Sequence, residues 1–273
     1  MDERLKLFNE KRACFEEFLR NTDQKKKGIE FLISEIKKGK LKKGNKIKIL
    51  SIGAGLGEDL FGLLSYLKKE GYSFEFFYND LSKISFDIFL KRAKGFGLGK
   101  NFSGSAICGL DDLKLKEKFD LVIASHVFYY LKNWKKSIKK ISSLLSDDGK
   151  AYVILQSKHG HYNFRKKFIG LIKGQKYREY HGEEIYTVCR KMGIKCEARK
   201  VDYFINVKPA ITRNNKINAS GKKILTFLLR TDYDTVNEGI KKKIDKYLKE
   251  KAKSKSNKIL LKSADIYTKI YKK

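Results

Sequence analysis

Apolar positions change their period along this chain, and the changes mark its elements. From residue 2 to 20, Leu5, Phe8, Phe15, Phe18 and Leu19 share one side of a helical wheel, which predicts an amphipathic helix. Asn21-Thr22-Asp23 is a helix-start sequence, and Ile29, Phe31, Leu32, Ile33 and Ile36 keep helical spacing up to Gly39. The β-branched run Ile47–Ile52, bounded by Asn45 and Gly53, then reads as a buried strand. Beyond it helices and strands alternate. Residues 60–69, 84–94, 134–145 and 183–192 read as helices, and 74–79, 105–108, 121–125 and 151–156 as strands. Such alternation predicts an α/β fold, a mostly parallel sheet with helices on both faces. Residues 195–207 and 264–271 read as a last antiparallel pair, separated by lysine-rich helical stretches at 221–230 and 235–252. Pro209 stands where the first of these two strands should stop. The pattern predicts a single domain over 1–273: a helical cover over 1–44, a core over 45–207, and a helical insertion with a final strand over 208–273.

Composition narrows the class. With 273 residues, 41% of them hydrophobic, the chain has enough apolar surface for one substantial core. No run of about 18 apolar residues occurs, and Met1-Asp2-Glu3-Arg4 lacks a signal-like segment, so a cytoplasmic protein without a membrane partner is expected. Cys14, Cys108, Cys189 and Cys196 form no Cys-x-x-Cys pair, which predicts buried free thiols and no metal site. The net charge of +31 suits a nucleic acid or another acidic polymer. Lysine nevertheless outnumbers arginine and is spread along the chain, as a lysine-rich background composition would produce. A small-molecule partner is preferred, and the chain is expected to be a monomer.

Gly53-Ala54-Gly55-Leu56-Gly57 directly follows the first strand. Glycine there permits positive φ and removes the Cβ that would obstruct a ligand. The dinucleotide fingerprint Gly-x-Gly-x-x-Gly needs glycine at position 58, which is Glu58. An acid at the helix start repels a pyrophosphate but tolerates an ammonium or a sulfonium. Asp80 closes the second strand, where an acid can accept both ribose hydroxyls of a nucleoside, or cap the next helix from Asn79-Asp80-Leu81-Ser82. Asp111 or Asp112, after the third strand, is placed to accept from an adenine amine or to form a solvated turn.

These residues resemble the class I S-adenosylmethionine-dependent methyltransferases, and more narrowly the histamine N-methyltransferase family. The resemblance rests on residues 49–58 with Ser51 where most of the class has an acid, on Val127-Phe128-Tyr129-Tyr130-Leu131, and on Ser143-Leu144-Leu145. Weaker similarity runs from Phe15 to the C-terminus. It implies a Rossmann-like class I methyltransferase sheet of seven strands, the last antiparallel, with S-adenosylmethionine as cofactor. By resemblance Gly53, Asp80 and Ser85 are cofactor-side positions, to which the loop and strand positions add Gly55, Gly57 and Asp111. Asp23 matches the acid that meets the substrate amine, His126 the glutamine that meets the imidazole, and Ser263 the substrate-binding asparagine. Phe15, Tyr129, Tyr130 and Tyr162 match aromatic pocket walls, suited to an aromatic or cationic acceptor. Each also has a plain packing role open to it.

The resemblance therefore implies N-methylation of a small amine, imidazole or amino-acid-like substrate, with His126 and Tyr130 as candidate catalytic residues. His126, at a strand's carboxyl end, would orient the nucleophile or take its proton. Arg165 or Lys166 would meet an acceptor carboxylate. Methylation of RNA or a peptide is the alternative, with Lys222-Lys223, Lys241-Lys242-Lys243 and residues 249–258 as its basic surface. No Asn/Asp-Pro-Pro-aromatic motif follows the fourth strand; Ser125-His126-Val127-Phe128 stands there.

Overall fold

A computed structural model describes residues 12–39, 45–174, 179–212 and 217–272. The first ten positions of the predicted N-terminal helix lie outside these residues. In chain order the elements are α1 (Arg12–Arg20), α2 (Gln24–Lys38), β1 (Ile47–Ile52), α3 (Phe61–Lys69), β2 (Phe74–Asp80), α4 (Lys83–Gly95), β3 (Phe102–Ile107) and β4 (Phe119–Ser125). They continue with α5 (Trp134–Ser143), β5 (Leu145–Gln156), α6 (His161–Lys173), α7 (Gly182–Lys191), β6 (Cys196–Asn206), α8 (Ala219–Leu229), α9 (Glu238–Lys251), β7 (Lys253–Lys255) and β8 (Lys258–Tyr271).

The sheet has the strand order β3-β2-β1-β4-β5-β8-β6, with β7 added as a short hairpin partner of β8. β1 is parallel to β2 and β4, β2 to β3, and β4 to β5. β8 runs against β6, since Tyr271 N donates to Lys195 O at one end and Val207 N to Ile259 O at the other. The predicted sheet class is therefore present, with β7 as an eighth strand that its polar Lys-Ser-Lys sequence conceals.

The chain divides into two compact units where the sequence suggests one domain. One contains residues 25–155, 181–201 and 266–273. Its strands bury both faces. Leu50, Ile52, Val122, Ala124 and Val153 pack with α5 and α7 on one side. Ile49, Phe76, Tyr78, Ile123 and Ile154 pack with α2, α3 and α4 on the other. The second unit contains residues 1–24, 156–180 and 202–265. Its core is Phe18, Phe164, Phe168, Tyr203, Ile205, Ile224, Leu225, Leu228, Ile244 and Leu248. The discontinuity has a topological cause: chain inserted between the antiparallel strands buries its apolar surface with α1 and α6 in a second core.

Besides β7, β8 departs from expectation by starting at Lys258 rather than at 264, and α6 and β5 depart as well. α6 was not predicted, although Phe164, Phe168 and Ile169 lie on its buried side. β5 begins at Leu145, because the register shifts between Phe119 and Leu121 and lets residues before Ala151 join the ladder. Of the four cysteines only Cys189 and Cys196 are buried; Cys14 and Cys108 are partly exposed.

Candidate active site

The carboxyl ends of β1, β2 and β4 carry the candidate residues of the first unit, at the edge where open parallel sheets bind ligands. The turn after β1 uses its three glycines for two different purposes. Gly53, Gly55 and Gly57 have φ of 61°, 51° and 81°. A Cβ on Gly53 would lie 2.5 Å from Val127 Cγ2, and one on Gly57 would lie 2.5 Å from the Phe61 ring. A Cβ on Gly55 would meet nothing within 4 Å. Gly53 and Gly57 thus serve internal packing, and Gly55 alone presents a bare, open backbone to a ligand.

Asp80 pins this turn. Its Oδ2 accepts from Gly55 N at 2.9 Å and its Oδ1 from Ser82 N at 2.8 Å. Burial pushes its carboxyl above the ordinary value, against the backbone donors of Ser82, Gly55 and Leu81. The cap of α4 is Ser82, whose hydroxyl accepts from Ser85 N at 3.1 Å. The capping role open to Asp80 in the sequence therefore falls to Ser82. Ser85 itself is buried in the first turn of α4. Tyr78 donates from its hydroxyl to Gly55 O at 3.2 Å, so the turn is gripped from both sides.

Glu58 and Asp59 do not start the following helix, which begins at Phe61. Leu60 N and Phe61 N both donate back to Gly57 O, and the two acids occupy the intervening turn. Arg92 on α4 spans this turn, donating to Leu56 O at 2.7 Å and to Glu58 Oε1 at 2.8 Å. Asp59 pairs with Lys25 at the start of α2. Burial alone would raise the Asp59 carboxyl, but the Lys25 ammonium holds it below the ordinary value. Sequence reasoning passed over Lys25, Asp59 and Arg92; the available signal was an acid just beyond a ligand-type glycine turn.

Near the end of β2, Asn79 donates to Ala106 O and Cys108 O, tying the end of β3 to β2. Leu81 is 59% exposed, and a Cβ on Gly109 would lie 3.9 Å from Leu81 Cδ2 and 3.6 Å from Asp112 Oδ2. An apolar surface and a carboxylate thus flank the same spot. Asp111 lies 3.7 Å from the Lys136 ammonium.

After β4, His126 takes φ 53°, unusual for a residue with a side chain, and its N–H donates to Ile154 O at 2.8 Å. Its ring stacks on Tyr129 with centroids 6.1 Å apart. Tyr129 is buried in the core, and Tyr130 packs partly buried against the same cluster.

The remaining substrate candidates belong to the second unit. Phe15 packs on Phe227, with ring centroids 5.5 Å apart. Asp23 accepts from Phe204 N at 2.7 Å, which fixes the chain to β6. Its buried neighbour Gln24 donates to Asp265 Oδ2 at 2.8 Å and to the Tyr203 hydroxyl at 3.2 Å. Ser263 lies against His161 Nδ1 at 2.8 Å, and the Tyr203 hydroxyl meets the same nitrogen at 2.9 Å. Tyr162 is half-buried on α6. Arg165 is buried and donates to Leu228 O and Gln156 Oε1, with Glu179 3.7 Å away, so its hydrogen bonds serve the fold.

Comparison with known proteins gives the family and the fold. The profile of the family described as "Methyltransferase domain" matches residues 9–198. The chain belongs to this methyltransferase family. Among curated proteins none matches. Solved structures with the same fold include a candidate methyltransferase from Bacillus halodurans, 11% identical, with 88% of this chain and 98% of that chain covered and a TM-score of 0.58. The YcgJ protein of Bacillus subtilis is 14% identical, with coverage of 89% and 98% and a TM-score of 0.56. The phosphoethanolamine N-methyltransferase 2 of Haemonchus contortus, solved with S-adenosyl-L-methionine, is 18% identical, with coverage of 88% and 52% and a TM-score of 0.51. S-adenosylmethionine fits the donor set of this methyltransferase: an open glycine at Gly55, a carboxylate at Asp80 where a ribose is expected, and an exposed Leu81 beside it.

Proposed function

We propose that the protein transfers a methyl group from S-adenosylmethionine to a nitrogen of a small amine, imidazole or amino-acid-like molecule. The observation that carries the cofactor part is the bond from Gly55 N to Asp80, which joins the open glycine backbone to the acid assigned to the ribose. Gly55 and Asp80 are assigned to direct contact with the cofactor, with Gly53 and Gly57 shaping the turn that presents Gly55, and Ser85 behind them. Leu81 is assigned to one face of the adenine. Asp112, beside Gly109, is better placed for the adenine amine than Asp111, which stands toward Lys136.

When bound, the cofactor supplies a methyl group already activated on sulfonium sulfur. The protein's task is then alignment and exclusion of water. His126 is held by its backbone bond to β5 and by Tyr129, and is assigned to orient the acceptor nitrogen or to receive its proton. Tyr130 is assigned to the wall beside it. An uncharged amine or imidazole attacks with its lone pair, so no strong base is required.

A small acceptor is supported by the way the lysine-rich segments spend their charge. Lys241 pairs with Glu238, Lys249 with Asp245 and Lys222 with Asp234, as on an ordinary solvated helix face. Structures of similar fold also include enzymes named for small amines, a phosphoethanolamine N-methyltransferase and a candidate sarcosine dimethylglycine methyltransferase from Galdieria sulphuraria. The narrower likeness to histamine N-methyltransferases rests on the sequence motifs. The test is transfer of labelled methyl from S-adenosylmethionine across panels of small amines, imidazoles, amino acids, peptides and RNA. Product is expected on a small nitrogen compound; a strong preference for RNA would replace this choice of acceptor.

A further inference from the structure

The charges around the glycine turn are mostly committed within the protein. Glu58 is paired with Arg92, and both oxygens of Asp80 accept backbone hydrogens. The pair of Lys25 and Asp59 ties the start of α2 to the end of the turn, and its cation is more withdrawn from water than Arg92. Their side chains are 19% and 20% exposed.

Two glycines bring this pair together. Ile29, one turn after Lys25 on the same face of α2, packs where Gly62 of α3 lacks a side chain; a Cβ there would lie 2.6 Å from Ile29 Cδ1. Gly28 allows the matching approach to β8, where a Cβ would lie 2.1 Å from the Tyr267 hydroxyl. α2 therefore sits close enough to α3 for the first-turn lysine to reach an acid only two residues past Gly57. Asp59 follows directly on the turn at the carboxyl end of β1, which places it at the ligand edge of the sheet.

We propose that Lys25 and Asp59 are the recognition pair for the amino-acid end of the cofactor, Lys25 for its α-carboxylate and Asp59 for its α-ammonium. This rests on the cofactor reading above. A zwitterion carries opposite charges about one ion pair's width apart, and taking it out of water against neutral groups would leave both charges uncompensated. A half-buried cation and anion already held side by side offer each charge its counterpart and add no net charge. Because the pair is fixed by close helix packing, little side-chain ordering remains to oppose binding.

Calorimetry with two probes tests the assignment on the full chain. S-adenosylhomocysteine has the amino-acid end; 5′-methylthioadenosine keeps the nucleoside and the thioether but lacks it. Lys25→Met, which retains an apolar stem, and Asp59→Asn are each expected to weaken S-adenosylhomocysteine by about tenfold or more and to leave 5′-methylthioadenosine unchanged. Lys25→Arg keeps the cation and is expected to stay within about threefold of wild type, which separates lost charge from lost folding. Equal weakening of both probes in a folded variant, or no weakening of either, overturns the assignment. Wild type that binds both probes equally tightly overturns it alone, whereas wild type that binds neither overturns the cofactor reading as well.

Discussion

At the scale of single residues, the three glycines of the turn look alike in sequence and differ in what surrounds them. Gly55→Ala places its Cβ in open space and bears only the left-handed backbone strain, about 1–2 kcal/mol. Gly57→Ala adds a collision with Phe61 and Phe89 and is expected to cost about 3 kcal/mol or more. Thermal melts should separate the two, and Gly55→Ala should lose cofactor affinity while remaining folded. Only the spacing of the glycines was legible in sequence; their division of labour depends on Val127, Phe61 and Phe89, which other elements bring in. Asp80 carries a second expectation. Its carboxyl titrates above the ordinary 3.8 because it is buried, and the ionised form is the one that accepts two ribose hydroxyls. Affinity for S-adenosylhomocysteine should therefore begin to fall at a higher pH on acidification than an ordinary aspartate would cause. An affinity flat down to the ordinary carboxylate range would separate Asp80 from the ribose.

At the scale of elements, α2 shows what periodicity can and cannot carry. Its apolar face was readable from Ile29, Leu32 and Ile36, but the roles of Gly28 and Gly62 were not, because close approach leaves no signature except an unexplained glycine inside a helix. The far end of α2 is tied to β8 by Glu35 and Lys269, 2.9 Å apart and 10% and 15% exposed. Burial alone would raise the Glu35 carboxyl, but its bonds and charge interactions with Lys269 and Lys38 bring it below 4.5. Glu35→Gln is expected to cost about 2 kcal/mol at neutral pH. Since the folded pKa is depressed, that contribution is present above the unfolded value of 4.5 and is lost as pH falls through the folded one. Denaturant melts of the two proteins should therefore converge in acid; a gap that persists there would assign the cost to packing. The alternation behind the parallel strands was legible, because each strand is a short apolar run. α6 was passed over although its spacing is helical, and β7 has no apolar residue to announce it.

At the scale of the molecule, +31 is a property of the whole sequence, and several lysines of the basic segments are balanced locally. RNA binding is expected to be weak and non-specific, vanishing between about 0.05 and 0.2 M salt in a gel-shift titration; tight binding that survives higher salt would favour the polymer as acceptor. No helix among the described residues is long and apolar enough to cross a membrane. The division into two units was not legible, because segments distant in sequence share each core. The polar cluster of Gln24, His161, Tyr203, Ser263 and Asp265 was hidden for the same reason: only Ser263 was marked by resemblance, and Asp23, marked beside it, is occupied with β6. The central claim is that the turn from Gly53 to Gly57, with Asp80, holds the methyl donor. Titration calorimetry of S-adenosylhomocysteine into wild type and Gly55→Val tests it most directly. Saturable one-to-one binding by wild type, lost in a Gly55→Val variant that still melts cooperatively, is the predicted result; no binding by folded wild type, or equal binding by the variant, would contradict it.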